Sequence, residues 1–394
     1  MNQSWITQVV NSHRDTESPE RFWYWSAISA IGATLGKQIY VNRWIYKLYP
    51  NLYIFLVAGS GMKKSPPVNL AKNLCLLAGG VRTVSGRTSV QKVIEDLSKA
   101  YSLEGGGVIK NAHGYIVNSE LAAFLVKDPD ALSILTDVFD THNYEREWKY
   151  SLKSGEYKLK EPCINWLGAT NEEHFEDCVP PVQVKGGFVG RLLIVHSMIP
   201  GAINSLVDEP KNLVDLNIFV PFLKNLQKIS GEVKWTKDGG EYFKKWYNEY
   251  GIQDHYDKTG ASKRIGDAII KVAMCIGMAN GYDMELKQKY IEEAKAQCLE
   301  CLGGTNKVTM GSGKGNLTDL NKIAMRMLLK EPSHQVNRKT FARRFWNEGY
   351  GANELDMVIT ILLESNAISV GGDTKDPIYI LKESVIKHYG EIAS

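Results

Sequence analysis

One stretch constrains this chain more than any other: Asn51-Leu-Tyr-Ile-Phe-Leu-Val-Ala-Gly-Ser-Gly-Met-Lys-Lys-Ser65. Residues 52–57 form an unbroken apolar run rich in aromatic and β-branched side chains. That is the pattern of a strand buried on both faces, as in a parallel sheet. A turn containing Gly59 and Gly61 follows, then Lys64-Ser65, then Pro66-Pro67 and a run at helical spacing from Val68 to Leu77. Strand, glycine turn, Lys-Ser and helix are the physical parts of a phosphate cradle. Backbone N–H groups and a helix N-terminus face the anion, the lysine reaches the terminal phosphates and the hydroxyl holds Mg²⁺. The candidate cradle is Gly59, Ser60, Gly61, Met62, Lys63, Lys64 and Ser65, with Ser65 as the Mg²⁺ ligand. Against the spacing G-x-x-x-x-G-K-[ST], Ala58 takes the first glycine position and Lys63 the second, and the two loop glycines fall out of register. An ordinary strand–turn–helix with a surface lysine pair has the same outline.

The bulk properties leave that reading open. A length of 394 residues accommodates two or three domains, and a net charge of +3 requires any nucleic-acid contact to come from local basic patches. No apolar run approaches a membrane span and the first residues lack a signal-peptide pattern, so the expectation is a cytoplasmic protein that does not contact membranes. Cys298 and Cys301 have C-x-x-C spacing, but they lie in a helical run, 287–302, without a second pair. They read as buried, reduced thiols.

Further chemistry-bearing residues fall at the ends of predicted elements. A buried strand from His113 ends at Asn118-Ser119-Glu120, placing Glu120 as a water-activating carboxylate and leaving Asn118 or Ser119 to hold a metal-bound water. A helix-start carboxylate favoured by the dipole is the plainer alternative. Residues 163–171 form another apolar strand ending in Thr170-Asn171, where the amide of Asn171 can orient water at a γ-phosphate. Between these strands, alternating Trp148, Tyr150 and Leu152, a turn at 153–155, then Tyr157 and Leu159 predict a β-hairpin. Its outward Lys149, Lys153, Lys158 and Lys160 suit nucleic-acid phosphates; a lysine-guarded edge hairpin is the alternative. A glycine-rich segment leads to Arg191 and a further strand, and strands alternating with helices predict an α/β sandwich with a parallel sheet. Residues 213–302 read as helical, with Lys263 and Arg264 opening a strongly periodic helix. In the tail, three helices and a hairpin predict a winged helix, with basic groups at Arg338, Lys339, Arg343, Arg344 and Lys375.

In order, these features resemble a P-loop ATPase of the AAA+/RecA-like kind. More narrowly, they resemble phage and mobile-element replication ATPases often labelled primase-helicases. The shared segments are Pro50-Asn51-Leu-Tyr, Lys64-Ser65-Pro66, Ser119-Glu120, Leu167-Gly-Ala-Thr-Asn171 and Gly186-Gly-Phe-Val-Gly-Arg191, and the likeness spans about residues 18–280. The order is also similar to minichromosome-maintenance-type helicases. The resemblance implies a three-layer sandwich organised as an N-terminal helical segment (1–45), an ATPase core (46–210), a helical lid (211–302), a flexible linker (303–317) and a winged helix (318–394). It implies ATP and Mg²⁺, with Lys64 on the β/γ-phosphates, Ser65 on Mg²⁺, Glu120 as the catalytic carboxylate and Asn171 as sensor 1. Arg191 becomes an arginine finger acting on a neighbour's ATP, Arg264 (or Lys263) becomes sensor 2, and the hairpin lines a DNA channel. The expected protein is a ring-forming helicase or translocase, hexameric and acting on single-stranded DNA in a bacterial host's cytoplasm. No primase-type metal cluster is evident, so a primase would be a separate protein. The alternatives are an initiator or helicase loader without processive unwinding, and a regulatory pseudo-ATPase.

Overall fold

The apolar run at 52–57 does become a strand buried on both faces. In the computed structural model, Tyr53–Ala58 (β1) is buried at every position. It lies within a five-stranded sheet with Thr83–Ser85 (β2), His113–Asn118 (β3), Cys163–Asn171 (β4) and Leu192–His196 (β5), every pair parallel. The order across the sheet is β5-β1-β4-β3-β2. The structure describes residues 3–86, 88–99, 101–102, 108–109, 111–125, 130–144, 147–152, 155–179, 187–202, 215–252, 259–311, 317–347, 351–373 and 376–390.

Side chains alternate across the strands, so the sheet separates two cores. Ile54, Leu56 and Ala58 join Tyr115, Leu167 and Ala169 beneath the helices Glu20–Leu35, Ser65–Ala78 and Ala261–Ala279. Tyr53, Phe55 and Val57 face the other way, with Ile116 and Trp166, toward Val90–Ser98, Ala131–Tyr144 and Glu172–Cys178. The helix Glu20–Leu35 is apolar all round because it is buried nearly all round. At Gly32 a Cβ would meet the Pro50 carbonyl oxygen at 2.7 Å, so a glycine is what lets this helix lie so close to the chain entering β1.

The strand order fixes where a ligand can sit. From β1 the chain crosses to the far edge at β2 over the first core, then returns through β3 and β4 to β5 over the second. Crossovers between parallel strands are right-handed, so reversing direction forces a change of face. The connections leaving the adjacent strands β1 and β4 therefore go to opposite faces. The crevice at their C-terminal ends is a topological switch point, where open α/β sheets bind ligands.

The chain forms two compact units, residues 1–309 and 310–394. The expected boundaries at 45 and 210 have no counterpart, because helices 20–35 and 261–279 belong to the same core as β1. Nor does a linker begin at 303: the helix Gln288–Gly311 runs on through Gly303-Gly304. A Cβ at Gly304 would come within 2.7 Å of the Ile194 carbonyl oxygen, so this glycine marks close packing on β5. Ser89 caps the helix Val90–Ser98, its hydroxyl accepting from the Lys92 N–H. The second unit has helices Leu317–Lys330, Arg338–Asn347 and Ala352–Glu364 over an antiparallel sheet ordered Gln335–Asn337, Asp376–Leu381, Ile368–Asp373. Leu320, Phe341, Phe345, Val358 and Tyr379 form its own core. Among the described residues no helix is long and apolar enough to cross a membrane.

Candidate active site

The crevice at the switch point holds Lys64. Its Nζ donates to the carbonyls of Ala58 (3.0 Å) and Gly59 (2.8 Å), at the end of β1, and to Asn171 Oδ1 (2.7 Å), at the end of β4. Two expected site residues thus meet through a direct hydrogen bond. Burial holds the Lys64 pKa below its ordinary value, with Glu172 pulling the other way. All three acceptors are neutral, and among the described residues no carboxylate forms an ion pair with Lys64. A partly desolvated ammonium held by carbonyls and an amide gains strongly from an arriving anion.

The loop before it turns through left-handed backbone at two positions. Lys63, at the second glycine position, has φ +45°, the left-handed conformation that favours glycine. It is pinned there, with its carbonyl accepting from Ser18 Oγ (2.6 Å) and its ammonium 3.3 Å from Glu17. Gly61 is left-handed too, at φ +82°, and a Cβ at Gly59 or Gly61 would meet nothing within 4 Å. Gly59, Ser60 and Gly61 are exposed, while Met62 tucks against the core. Ser65 opens the helix Ser65–Ala78 and is exposed. Pro66 and Pro67 follow at once and carry no N–H, so the amides available to an anion are those of the loop and Ser65.

Four neighbouring strand ends converge on this edge. Next to β1, His196 ends β5 and its Nε2 lies 2.8 Å from Glu172 Oε1. On the other side Asn171-Glu172 ends β4, and beyond it Ser119 and Glu120, both exposed, follow β3. With strands ~4.8 Å apart, β3 lies about 10 Å from β1, room for a terminal phosphate and a water between Glu120 and the loop. Asn118 does not serve as expected: it is buried, and its Oδ1 accepts from the Trp166 indole N–H at 3.0 Å. Sequence reasoning missed Glu172 and His196; Glu172 directly follows Asn171, but only the pairing of β5 with β1 brings His196 to it.

Arg191 and Arg264 lie elsewhere. Leu192 pairs with Tyr53, so Arg191 stands at the N-terminal end of the sheet, five residues or about 17 Å along β1 from Ala58. Only 11% of its side chain is exposed; it pairs with Asp140 and donates to the Gly187 carbonyl (2.7 Å). Arg264 sits beside it: a Cβ at Gly190 would be 3.0 Å from an Arg264 guanidinium nitrogen, and one at Gly187 3.1 Å from Arg191's. Burial and the neighbouring Arg191 lower the Arg264 pKa. Both arginines line a cavity of about 260 Å³ with Tyr46, Asp140, Asp267 and Lys271. Lys271 is buried, donates to Asn51 Oδ1 (2.7 Å), and is drawn down to a pKa of about 8 by burial. The exposed Lys263 precedes Arg264 on the same helix.

The hairpin Glu147–Leu152/Gly155–Lys160 forms with Lys149 opposite Lys158 and Glu147 opposite Lys160. Trp148 and Leu159 face the core, and Trp148 donates to Asp137 (2.6 Å). Lys149, Lys158 and Lys160 are exposed as expected, while Lys153 lies outside the described residues. Glu147 and Glu156 share the outward face and pair with Lys149 (4.0 Å) and Lys158 (3.3 Å), halving a charge that the lysines alone overstated. In the second unit, Arg338 pairs with Asp356 and Arg344 with Glu331, while Lys339 and Arg343 are exposed; Lys375 lies outside the described residues. All six cysteines are buried and free, Cys298 and Cys301 among them.

No protein-family model matches this chain, and no curated protein matches it.

Proposed function

We propose that the chain is a P-loop ATPase that binds ATP at Lys64 and works as an AAA+/RecA-like DNA helicase or translocase. One observation carries the nucleotide reading: Lys64 at the switch point, joined to Asn171 and preceded by a left-handed loop at the start of a helix. In this reading Lys64 and the loop amides bind the β/γ-phosphates, Glu120 accepts a proton from the attacking water, and Asn171 orients that water. The exposed hydroxyl of Ser65 fits Mg²⁺, which takes few protein ligands beside phosphate oxygens and needs no acidic cluster; Mg²⁺ would offset phosphate charge there. Arg191 and Arg264, gathered at the other end of the sheet, are too far to complete the site of their own chain and serve a neighbour's, as a ring provides. We read the second unit as a winged helix, and the hairpin lysines with it as the DNA-contacting surfaces.

The test is steady-state ATP turnover with and without single-stranded DNA, beside titration of a labelled ATP analogue. The expected result is DNA-stimulated turnover, with Lys64→Ala abolishing binding and Lys63→Ala weakening it less. Binding unchanged in Lys64→Ala removes the site. A second reading, a nucleotide-dependent initiator or helicase loader, is favoured by the glutamates that offset the hairpin lysines. Turnover without strand displacement selects it.

A further inference from the structure

We infer that copies of this chain associate head to tail, with the exposed turn Trp44-Ile45 of one copy packing against the exposed Met198-Ile199 segment of the next. The direction of this contact rests on the split-site reading above; the contact surfaces themselves do not. Trp44 is 98% exposed and Ile45 86%, in a turn between the paired strands Ile39–Asn42 and Lys47–Leu48. Trp44 also has φ +61°, a strained conformation for a bulky residue that is kept where the surroundings or a function demand it.

The turn is anchored. Its Trp44 N–H donates to Asn42 Oδ1 (3.1 Å), Arg43 N–H to the Tyr46 carbonyl (2.9 Å), and the Tyr46 hydroxyl to Asp267 (3.1 Å). Arg43 lies 3.6 Å from the same Asp267, one helical turn after Arg264. The apolar knob is therefore fixed beside the paired arginines, and tryptophan with arginine is the composition of an interface hot spot.

The opposite end of the sheet carries a matching feature. Met198 is 75% exposed and Ile199 77%, just after β5. Ser197 N–H donates to the Val57 carbonyl (3.1 Å) and Gly201 N–H to that of Glu17 (2.9 Å), whose carboxylate holds Lys63. This apolar pair thus flanks the phosphate loop. Each end of the sheet combines half of the split site with an exposed apolar pair. A two-fold contact would either join like ends, leaving the arginines away from Lys64, or use both apolar pairs reciprocally and stop at two copies. A heterologous contact joins unlike ends, covers both apolar pairs and repeats until a ring closes.

Because the native cysteines are all buried, engineered surface cysteines are the reactive thiols. The full chain is made as Ile45→Cys, as Ile199→Cys and as the double variant, then treated with a short bis-maleimide. A mixture of the single variants should give dimers, the double variant a ladder beyond dimers, and each single variant alone neither. Trp44→Ser should weaken self-association, measured by light scattering against concentration, at least about tenfold. Dimers from Ile45→Cys alone, or a double variant that cross-links no further than dimers, show a two-fold contact and overturn the inference. So does a Trp44→Ser variant that loses affinity for single-stranded DNA or anionic vesicles while self-association is unchanged, and so does the absence of cross-links from chains that still bind labelled ATP. Cross-linking as expected without any ATP binding upholds the contact and overturns the nucleotide reading alone.

Discussion

At the scale of single residues, Lys63 takes a left-handed backbone where the proposed phosphate-loop spacing has glycine. Holding a lysine at φ +45° costs about 1–2 kcal/mol relative to glycine, offset in part by the Ser18 hydrogen bond to its carbonyl and the pairing with Glu17. Lys63→Gly keeps the carbonyl and removes the steric cost, so it should raise the thermal midpoint and tighten ATP binding, measured by calorimetry and analogue titration. A looser site in Lys63→Gly would mean that its ammonium itself meets phosphate. Glu120→Gln should retain ATP binding and lose turnover by a factor of about 10²–10⁴, since its exposed carboxylate supports no packing. Parental turnover in that variant would take Glu120 out of the mechanism and leave Glu172 as the carboxylate to test. A third residue sets an acid limit. Burial, with Lys37 and Arg82 nearby, holds His113 at a pKa of about 4 against an ordinary 6.5. The unfolded chain therefore takes up the proton first. The stability due to neutral His113 is whole above pH 6.5 and is lost as pH falls through 4. His113→Gln should flatten that part of the curve of thermal midpoint against pH.

At the scale of elements, what was legible in the sequence was whatever depended on local period. The continuous apolar runs became β1, β3 and β4, and the alternating run became the hairpin, because burial on two faces or on one writes directly into residue order. The places of Asn171, Glu120 and Lys64 were legible for the same reason, since Asn171 ends a readable strand and the other two follow readable strands within a few residues. Pairing across the chain was not. Nothing in the local sequence joins Asp140 to Arg191, Trp166 to Asn118 or His196 to Glu172; strand order brings each pair together. The glycines were legible as turns but not as contacts. At Gly168, on β4, a Cβ would meet Leu121 at 2.5 Å, and at Gly114, on β3, it would meet Leu97 at 2.6 Å. Gly168→Ala should push Leu121 away and with it the chain that positions Glu120, costing roughly 1–3 kcal/mol in denaturant unfolding. Turnover should fall more than ATP binding, which depends on β1 and its loop. For the hairpin, replacing Lys149 and Lys158 with Ala should weaken binding to single-stranded DNA and flatten its salt dependence. Under the edge-guard reading it should instead promote aggregation, seen by light scattering, with DNA affinity unchanged.

At the scale of the whole molecule, the distance between Lys64 and Arg191 decides what the protein can do alone. About 17 Å of strand separates their two ends of the sheet, and both ends are fixed, one by Asn171 and the loop carbonyls, the other by Asp140 and the Gly187 carbonyl. A folded subunit cannot bring them to one phosphate. If Arg191 acts on ATP, it acts on a neighbour's. Arg191→Ala should then bind ATP normally and turn it over poorly, while Lys64→Ala should bind none, and each alone should be nearly inactive. Mixed in equal amounts, they should recover activity. A working site needs an intact Lys64 from one chain and an intact Arg191 from the next, which random assembly supplies at about one site in four. Recovery near a quarter of the parental rate, in assemblies shown by light scattering to be mixed, is the expected result. If Arg191 acted within its own chain, or only held Asp140 in place, every chain in the mixture would carry a defect of its own. No mixing ratio would then restore turnover, so a flat zero across the series assigns Arg191 to structure alone.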